Sequence, residues 1–153
     1  MRLTRATPAE CEAMAAVHAQ AFPDSWREDE FEDLLDGEGI YGFLAATDQA
    51  APLGVILCRV AAGEMEVLTL GVDPGARRRG VARALLAAAL PAARDLGAAE
   101  VFLEVAVDND AAIALYETLG FGRAGLRKAY YDRGPAGVMD ALVMRLDLNA
   151  AAA

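Results

Sequence analysis

Residues 68–83, LTLGVDPGARRRGVAR, carry the strongest structural signal in the chain. They predict the end of an apolar strand, a short loop, and a helix that begins near Gly80. The first turn of a helix offers unpaired N–H groups and the positive end of the helix dipole, which together attract a phosphate. Gly80 and Ala82 have almost no side chain, so the backbone there can approach a ligand closely. The stretch therefore predicts a phosphate site between a strand and a helix.

Four arginines add positive charge to this loop: Arg77, Arg78, Arg79 and Arg83. The guanidinium fork matches phosphate oxygens. The alternative is a solvated arginine cluster at the start of an ordinary helix, but the strand before it and the two small residues favour a ligand site. A Walker loop is excluded because Val81 and Ala82 stand where its Lys and Ser/Thr belong, and no G-x-G-x-x-G fingerprint is present.

The elements around this stretch predict one layered domain. Thr7-Pro8-Ala9-Glu10 has the pattern of a capping box and starts a helix that runs to about Ala21. Ser25-Trp26-Arg27-Glu28 repeats that pattern and starts a shorter helix. Strands are predicted at 41–47, 53–60, 65–72, 100–107, 121–127 and 138–146, with helices at 81–96 and about 109–119. The order strand, two helices, three strands, helix, strand, helix, two strands predicts a mixed α/β sheet over residues 1–148, followed by a disordered tail at 149–153.

Composition narrows the class of protein. The 153 residues are 56% hydrophobic and 24% charged, which excludes a disordered chain. The formal net charge of −9 disfavours a nucleic-acid partner. Cys11 and Cys58 are too few for a disulfide framework and are expected to be buried thiols. We find no signal peptide and no apolar run of about 20 residues, so we expect a cytoplasmic protein that does not bind a membrane.

Two sequence motifs carry a family resemblance. Arg77-x-x-Gly80-x-Ala82 after an apolar strand resembles the acyl-CoA pyrophosphate loop of the GCN5-related N-acetyltransferases (GNAT). Residues 109–121, NDAAIALYETLGF, resemble that family's Asn-x-x-A-x-x-L-Y-x-x-x-G-F signature.

A narrower resemblance, to the bacterial ribosomal-protein-alanine N-acetyltransferases (RimI type), extends over nearly the whole chain. It rests on 21–23 with Trp26, on Leu103-Glu104-Val105, and on 127–131 with 140–141. The chain departs from the pattern at Asp24-Ser25, where we expect variation in the substrate contacts, and at Ala82, where glycine is commoner.

The resemblance implies a fold and a cofactor site. It implies a mostly antiparallel sheet with one splayed parallel pair and helices on both faces. Acetyl-CoA would be the co-substrate, and no metal is needed. The backbone of Leu70, Gly71 and Val72 would pair with the pantetheine arm, and one of these amides would polarise the thioester carbonyl. Residues 77–83, comprising the four arginines with Gly80, Val81 and Ala82, would hold the pyrophosphate.

Catalysis would need a base and an acid rather than a protein nucleophile. Glu104 is the candidate base, because it is a charged residue in an otherwise apolar strand and burial would strengthen it as a base. The alternative is a strand side chain that points to solvent. Tyr116 is the candidate acid for the leaving thiolate, and a plain core tyrosine is the alternative. Asn109 would cap its helix and hydrogen-bond the cofactor. His18 is the only histidine, and a surface or core role is favoured over catalysis.

The acceptor is predicted to be a protein N-terminal α-amine. An α-amine has a pKa of about 7.7–8.0 and is partly neutral at pH 7, whereas lysine, at about 10.4, is almost never neutral. The resemblance implies the N-terminal alanine of a small-subunit ribosomal protein, a basic partner for an acidic chain. Phe22, Trp26, Tyr130 and Tyr131 are candidate substrate contacts, with at most one of the two tyrosines facing the substrate. The alternatives are acetylation of a lysine or a small amine, and a CoA-binding module without turnover. No oligomeric state is predicted.

Overall fold

The computed structural model describes residues 1–132 and 137–149, with the backbone alone at 129, 131 and 132. The strands are β1 (Arg2–Arg5), β2 (Ile40–Ala46), β3 (Pro52–Ala61), β4 (Glu64–Val72), β5 (Glu100–Ala106), β6 (Gly122–Asp132) and β7 (Val138–Asp147). The α-helices are α1 (Cys11–Ala21), α2 (Glu28–Leu35), α3 (Val81–Asp95) and α4 (Asp110–Thr118). The predicted tail lies, after Asn149, outside the described residues.

The strands form one seven-stranded sheet in the order β1-β2-β3-β4-β5-β7-β6. Strands β2, β3 and β4 are an antiparallel meander, as predicted. Strand β4 pairs with β5 in parallel, and every other neighbouring pair is antiparallel. Helix α3 is the crossover that makes this one parallel pair possible. The predicted mixed sheet with a single parallel pair is confirmed.

The sheet separates two hydrophobic clusters, because alternate side chains of a strand point to opposite faces. In β3, Val55 and Leu57 belong to a cluster with α1 and α2, whereas Ile56 and Cys58 belong to a cluster with α3 and α4. All four side chains are completely buried. Helices therefore cover both faces of the sheet, as expected.

One helix start agrees with the sequence and the other does not. Thr7 and Glu10 form the predicted capping box, over a 3-10 turn that leads into α1. Helix α2 begins at Glu28, and its N-cap is Arg27 rather than Ser25. The prediction was wrong because the N–H of Trp26 donates to His18 Nδ1 at 3.0 Å, and Arg27 is still extended. The Glu30 carboxylate then accepts from the Arg27 N–H.

Both cysteines are buried and free, as predicted. Burial raises the pKa of Cys58 to about 12, so its thiol stays protonated at neutral pH. Among the described residues, no helix combines the length and the apolar character needed to cross a bilayer.

Candidate active site

The parallel strands β4 and β5 separate after a short contact. They pair from Glu64 opposite Glu100 to Glu66 opposite Phe102, yet β4 continues to Val72 and β5 to Ala106. The register between β3 and β4 shifts at the same point, because Leu57 pairs with Thr69 and Cys58 with Val67. Leu68 is therefore the extra residue of a β-bulge. A bulge bends and twists its strand, which turns β4 away from β5. The expected splayed pair is confirmed.

A cavity of about 1250 Å³ lies in this opening. Its walls come from β4, β5, the end of α1 with the segment after it, and α4. Seven predicted site residues line it: Phe22, Trp26, Leu70, Glu104, Asn109, Tyr116 and Tyr130. Gly71, Val72 and residues 77–83 are not part of the lining. The Tyr131 side chain lies outside the described residues.

Glu104 projects from β5, where its backbone is opposite Val143 of β7. Both of its carboxylate oxygens accept from Arg127 Nη1, at 3.1 and 3.3 Å. The Glu104 side chain is 30% exposed, so its surroundings are not the apolar ones that the sequence led us to expect. The Arg127 guanidinium in turn lies 4.0 Å from the centroid of the Tyr130 ring. An ion pair with Arg127 therefore holds this carboxylate in place at the cavity.

Tyr116 and Asn109 belong to α4. The Tyr116 side chain is 9% exposed, and its ring packs against Phe121 with centroids 5.9 Å apart. Asn109 is the N-cap of the helix, and its Oδ1 accepts from the Ala112 N–H at 3.3 Å. The predicted cap is confirmed. The helix thus presents both side chains to the same cavity that Glu104 lines.

Strand β6 is irregular where Tyr130 lies. Arg127 is opposite Ala141 and Tyr131 is opposite Met139, so four residues of β6 span the distance of two on β7. This irregular segment carries the exposed Tyr130 to the cavity. The sequence did not predict this irregularity in the pairing of β6 with β7.

The loop before α3 has the geometry expected of an anion site. Gly80 is the N-cap of the helix with φ of 76°, and Arg78 also has a positive φ of 66°. Glycine has no side chain that could cap the helix, so the N–H groups of the first turn receive no hydrogen bond from the N-cap side chain. Residues 77–80 are exposed, and Arg83 donates to Thr118 Oγ1 at 3.1 Å. This uncapped, positively charged helix start fits the diphosphate of acetyl-CoA.

Two glycines let helices approach the sheet beside the cavity. A Cβ on Gly54 would lie 2.8 Å from Val81 Cγ1, so the glycine seats the start of α3 on β3. A Cβ on Gly71 would lie 2.7 Å from Phe22 Cε2. The end of α1 therefore rests directly on β4. These contacts hold the start of α3 against β3 and the Phe22 ring against β4.

His18 is the residue whose role the sequence left least defined. It lies on α1, is 3% exposed, and belongs to the cavity lining. Its Nδ1 accepts from the Trp26 N–H, and its Nε2 lies 3.0 Å from Thr69 Oγ1. Burial lowers the pKa of His18 to about 4, so the ring is neutral at pH 7. Its helical spacing from the buried Met14 indicated burial, but nothing in the sequence indicated Thr69 as a partner.

In the part of the chain that the structure describes, no group of three His, Cys, Asp or Glu residues is arranged to hold a metal ion.

Comparison with known proteins identifies the family. The sequence profile of the Acetyltransferase (GNAT) family matches residues 11–121. The chain belongs to this family. A GNAT relative from Escherichia coli K12, "[Ribosomal protein bS18]-alanine N-acetyltransferase", is 36% identical over 88% of this chain and 90% of its own length. The crystal structure of the E. coli ribosomal-protein-S18-alanine N-acetyltransferase matches with a TM-score of 0.86 at 30% identity, covering 96% of this chain and 93% of that chain.

A third GNAT relative is more similar over a shorter stretch. "N-alpha-acetyltransferase RimI" of Mycobacterium tuberculosis is 50% identical over 55% of this chain and 49% of its own length, so the chain spans about half of that relative. The resemblance to the GNAT family and its RimI type is confirmed. The matched domain is that of an acetyl-CoA-dependent N-acetyltransferase, and acetyl-CoA is the co-substrate.

Proposed function

We propose that this chain acetylates the N-terminal α-amine of a protein, and that its acceptor is the N-terminal alanine of a small-subunit ribosomal protein. One observation carries the proposal: Glu104, Asn109 and Tyr116 line a single cavity where β4 leaves β5. Phe22 and Trp26 line the same cavity from the end of α1 and the segment after it. Two of the relatives named above have the same acceptor class in their names.

Acetyl-CoA supplies an activated acetyl group as a thioester. On the donor side, the backbone of Leu70, Gly71 and Val72 binds the pantetheine arm. Residues 77–83 bind the diphosphate through the first-turn amides and the arginines. Asn109 holds the start of α4 and hydrogen-bonds the cofactor.

Glu104 accepts the proton that the acceptor nitrogen loses as it attacks the acetyl carbonyl carbon. The Arg127 contact supports this role because it orients the Glu104 carboxylate at the cavity. The carbon–sulfur bond then breaks, and the Tyr116 hydroxyl donates a proton to the sulfur. A phenol has an ordinary pKa of about 10 and a thiol one of about 8.5, so this transfer is uphill by about 2 kcal/mol. Solvent then returns a proton to Tyr116 and takes the proton from Glu104, which restores both groups and balances the cycle.

The charges of the cavity favour a cationic acceptor. Among the residues that the structure describes, four acidic side chains line the cavity: Asp24, Glu64, Glu66 and Glu104. Arg59 also lines it and pairs with Glu66 at 3.0 Å. A protein N-terminus arrives as a mixture of ammonium and amine, and the ammonium is attracted to this lining. Tyr130 and Phe22 provide apolar walls for the first residues of the peptide, and Tyr131 is proposed as a further contact.

The decisive experiment is acetyl transfer to matched peptides, followed by mass spectrometry. One peptide begins with Ala, as in a small-subunit ribosomal protein. Its partner has the same sequence with a blocked N-terminus and an internal Lys. We expect one acetyl group on the first peptide, at the α-amine, and none on the second. Acetylation of the lysine alone would refute the α-amine assignment, and CoA binding without transfer to any amine would refute turnover.

A further inference from the structure

The ring of His18 makes one hydrogen bond to each side of the cleft. Nδ1 accepts from the backbone N–H of Trp26, in the segment between α1 and α2. Nε2 lies 3.0 Å from the hydroxyl of Thr69, on β4. A nitrogen that accepts carries no proton, so the neutral ring is protonated at Nε2 and donates to Thr69 Oγ1. Both nitrogens of this buried ring are therefore used.

Aromatic packing holds the ring in this orientation. Trp26 stacks on it with centroids 5.0 Å apart and an interplanar angle of 21°. Phe22 lies 4.6 Å away on one side, and Phe31 meets it edge-on at 5.5 Å. A ring fixed by three aromatic neighbours and two hydrogen bonds cannot rotate without breaking several contacts.

The two residues joined by His18 have different places in the cleft. Thr69 follows the bulge residue Leu68 and precedes Leu70, so it lies where β4 turns away from β5. Trp26 lines the cavity from the other side and directly precedes the N-cap of α2. The backbone ladder does not connect these segments, whereas the imidazole does.

We propose that His18 is a positioning residue that fixes Trp26, on the acceptor-side wall, to the donor strand β4. This inference rests on the proposed function, since it assigns the wall to the acceptor. The ring transfers no proton to substrate. It sets the separation between the acceptor amine and the strand beside the thioester. A change of about 1 Å in such a separation can lower turnover about 100-fold while each substrate still binds its own side.

The test divides the bridge into its halves. H18F keeps an aromatic ring and removes both hydrogen bonds. H18N keeps a short acceptor for the Trp26 N–H and loses Thr69, whereas H18Q keeps a donor that reaches towards Thr69 and loses Trp26. T69V removes only the hydrogen bond between His18 and Thr69. We expect kcat/KM for the Ala peptide to fall at least tenfold in H18F and by a smaller factor in H18N, H18Q and T69V. The dissociation constant of acetyl-CoA should stay within twofold.

A control separates positioning from stability. Met14 is fully buried on the same helix and does not line the cavity, so M14A lowers the melting temperature through lost packing alone. All variants are assayed at a temperature where each is folded, as judged by fluorescence of Trp26, the single tryptophan. We expect M14A to keep its kcat/KM and H18F to lose it. The double variant H18F/T69V should lose no more than H18F, because both changes remove the same contact.

Two outcomes would overturn the proposal. One is an H18F enzyme whose kcat/KM stays within twofold while its melting temperature falls like that of M14A. The other is equal loss of acetyl-CoA binding and acceptor turnover. If wild type acetylates no α-amine peptide, the proposed function fails instead. The role of His18 is then tested by titration with acetyl-CoA. The fluorescence of Trp26 should change in wild type and not in H18F. The same change in both proteins would refute the proposed positioning role.

Discussion

The donor side of the cleft is continuous in sequence, whereas the acceptor side is assembled from distant segments. The end of β4, the arginine loop and the start of α3 all lie within residues 68–83. The contacts proposed there with acetyl-CoA are chiefly main chain. The acceptor side combines His18, Phe22 and Trp26 with Tyr130, more than a hundred positions later. A site that binds its ligand through main-chain groups keeps its function after many side-chain substitutions, whereas a site built from side chains does not. The donor side should therefore tolerate substitution better than the acceptor side and the catalytic pair.

The largest effect is expected for the proposed catalytic pair, Glu104 and Tyr116, which lies between the two sides. E104Q removes the base and keeps the shape, and Y116F removes the acid. General acid–base groups contribute about 10²–10⁴-fold, so each variant should lower kcat by at least about 100-fold. The dissociation constant of acetyl-CoA, measured by calorimetry, should change little. Full activity in both variants would remove the proposed roles.

His18, on the acceptor side, should make the stability of the protein depend on pH. The pKa of His18 is lowered from 6.5 to about 4, chiefly by burial, with Glu30 opposing the shift. Between these pH values the unfolded state therefore binds more protons than the folded state. The free energy of unfolding keeps its full contribution from the neutral His18 above pH 6.5 and loses it as the pH falls towards 4. From pH 7 to pH 5 the free energy of unfolding should fall by about 2 kcal/mol through His18 alone.

Urea unfolding of wild type and H18F at both pH values measures this term. Both proteins have the same carboxyl groups, whose titration contributes equally to the two pH profiles. On acidification the free energy of unfolding of H18F should therefore fall by about 2 kcal/mol less than that of wild type. Parallel pH profiles would mean that His18 is not buried as a neutral ring.

A smaller effect is expected for the backbone of the donor loop. Gly80 has a left-handed backbone, in which a Cβ costs about 1–2 kcal/mol. In G80A the loop relaxes from that geometry, so the dissociation constant of acetyl-CoA should rise about tenfold. Gly97, at the other end of α3, has φ of 94° and open space around it, so G97A is the matched control. If G97A weakens acetyl-CoA binding as much as G80A, the site assignment is wrong.

The smallest effect is expected for single arginines of the same loop. Arg79 is exposed, and exposed charges interact weakly and are screened by salt. R79A should weaken acetyl-CoA binding about threefold at low salt, and less at 0.5 M salt. The exposed Arg2, on the far edge strand, is the control. A hundredfold loss in R79A would mean that one side chain, rather than the helix start, dominates diphosphate binding.

These contrasts explain what the sequence could and could not predict. Local patterns predicted the strand–loop–helix around Gly80 and the cap at Asn109, because each depends on neighbours within one turn. The Arg127–Glu104 contact and the His18–Thr69 contact join residues 23 and 51 positions apart. No periodicity encodes such contacts, since tertiary packing creates them. The start of α2 was misplaced for the same reason: a distant imidazole captures the Trp26 N–H.

The bulge at Leu68 has a consequence for the dynamics of the sheet. Beyond Glu66, the β4 amides that point towards β5 have no ladder partner on that strand, although they lie in the middle of the sheet. Such an interior edge is a template for any extended chain with complementary donors and acceptors. Its amides should exchange with deuterium faster than those facing β3, and a bound extended ligand should slow them. Binding of acetyl-CoA would then slow hydrogen–deuterium exchange only at the β4 amides that face β5.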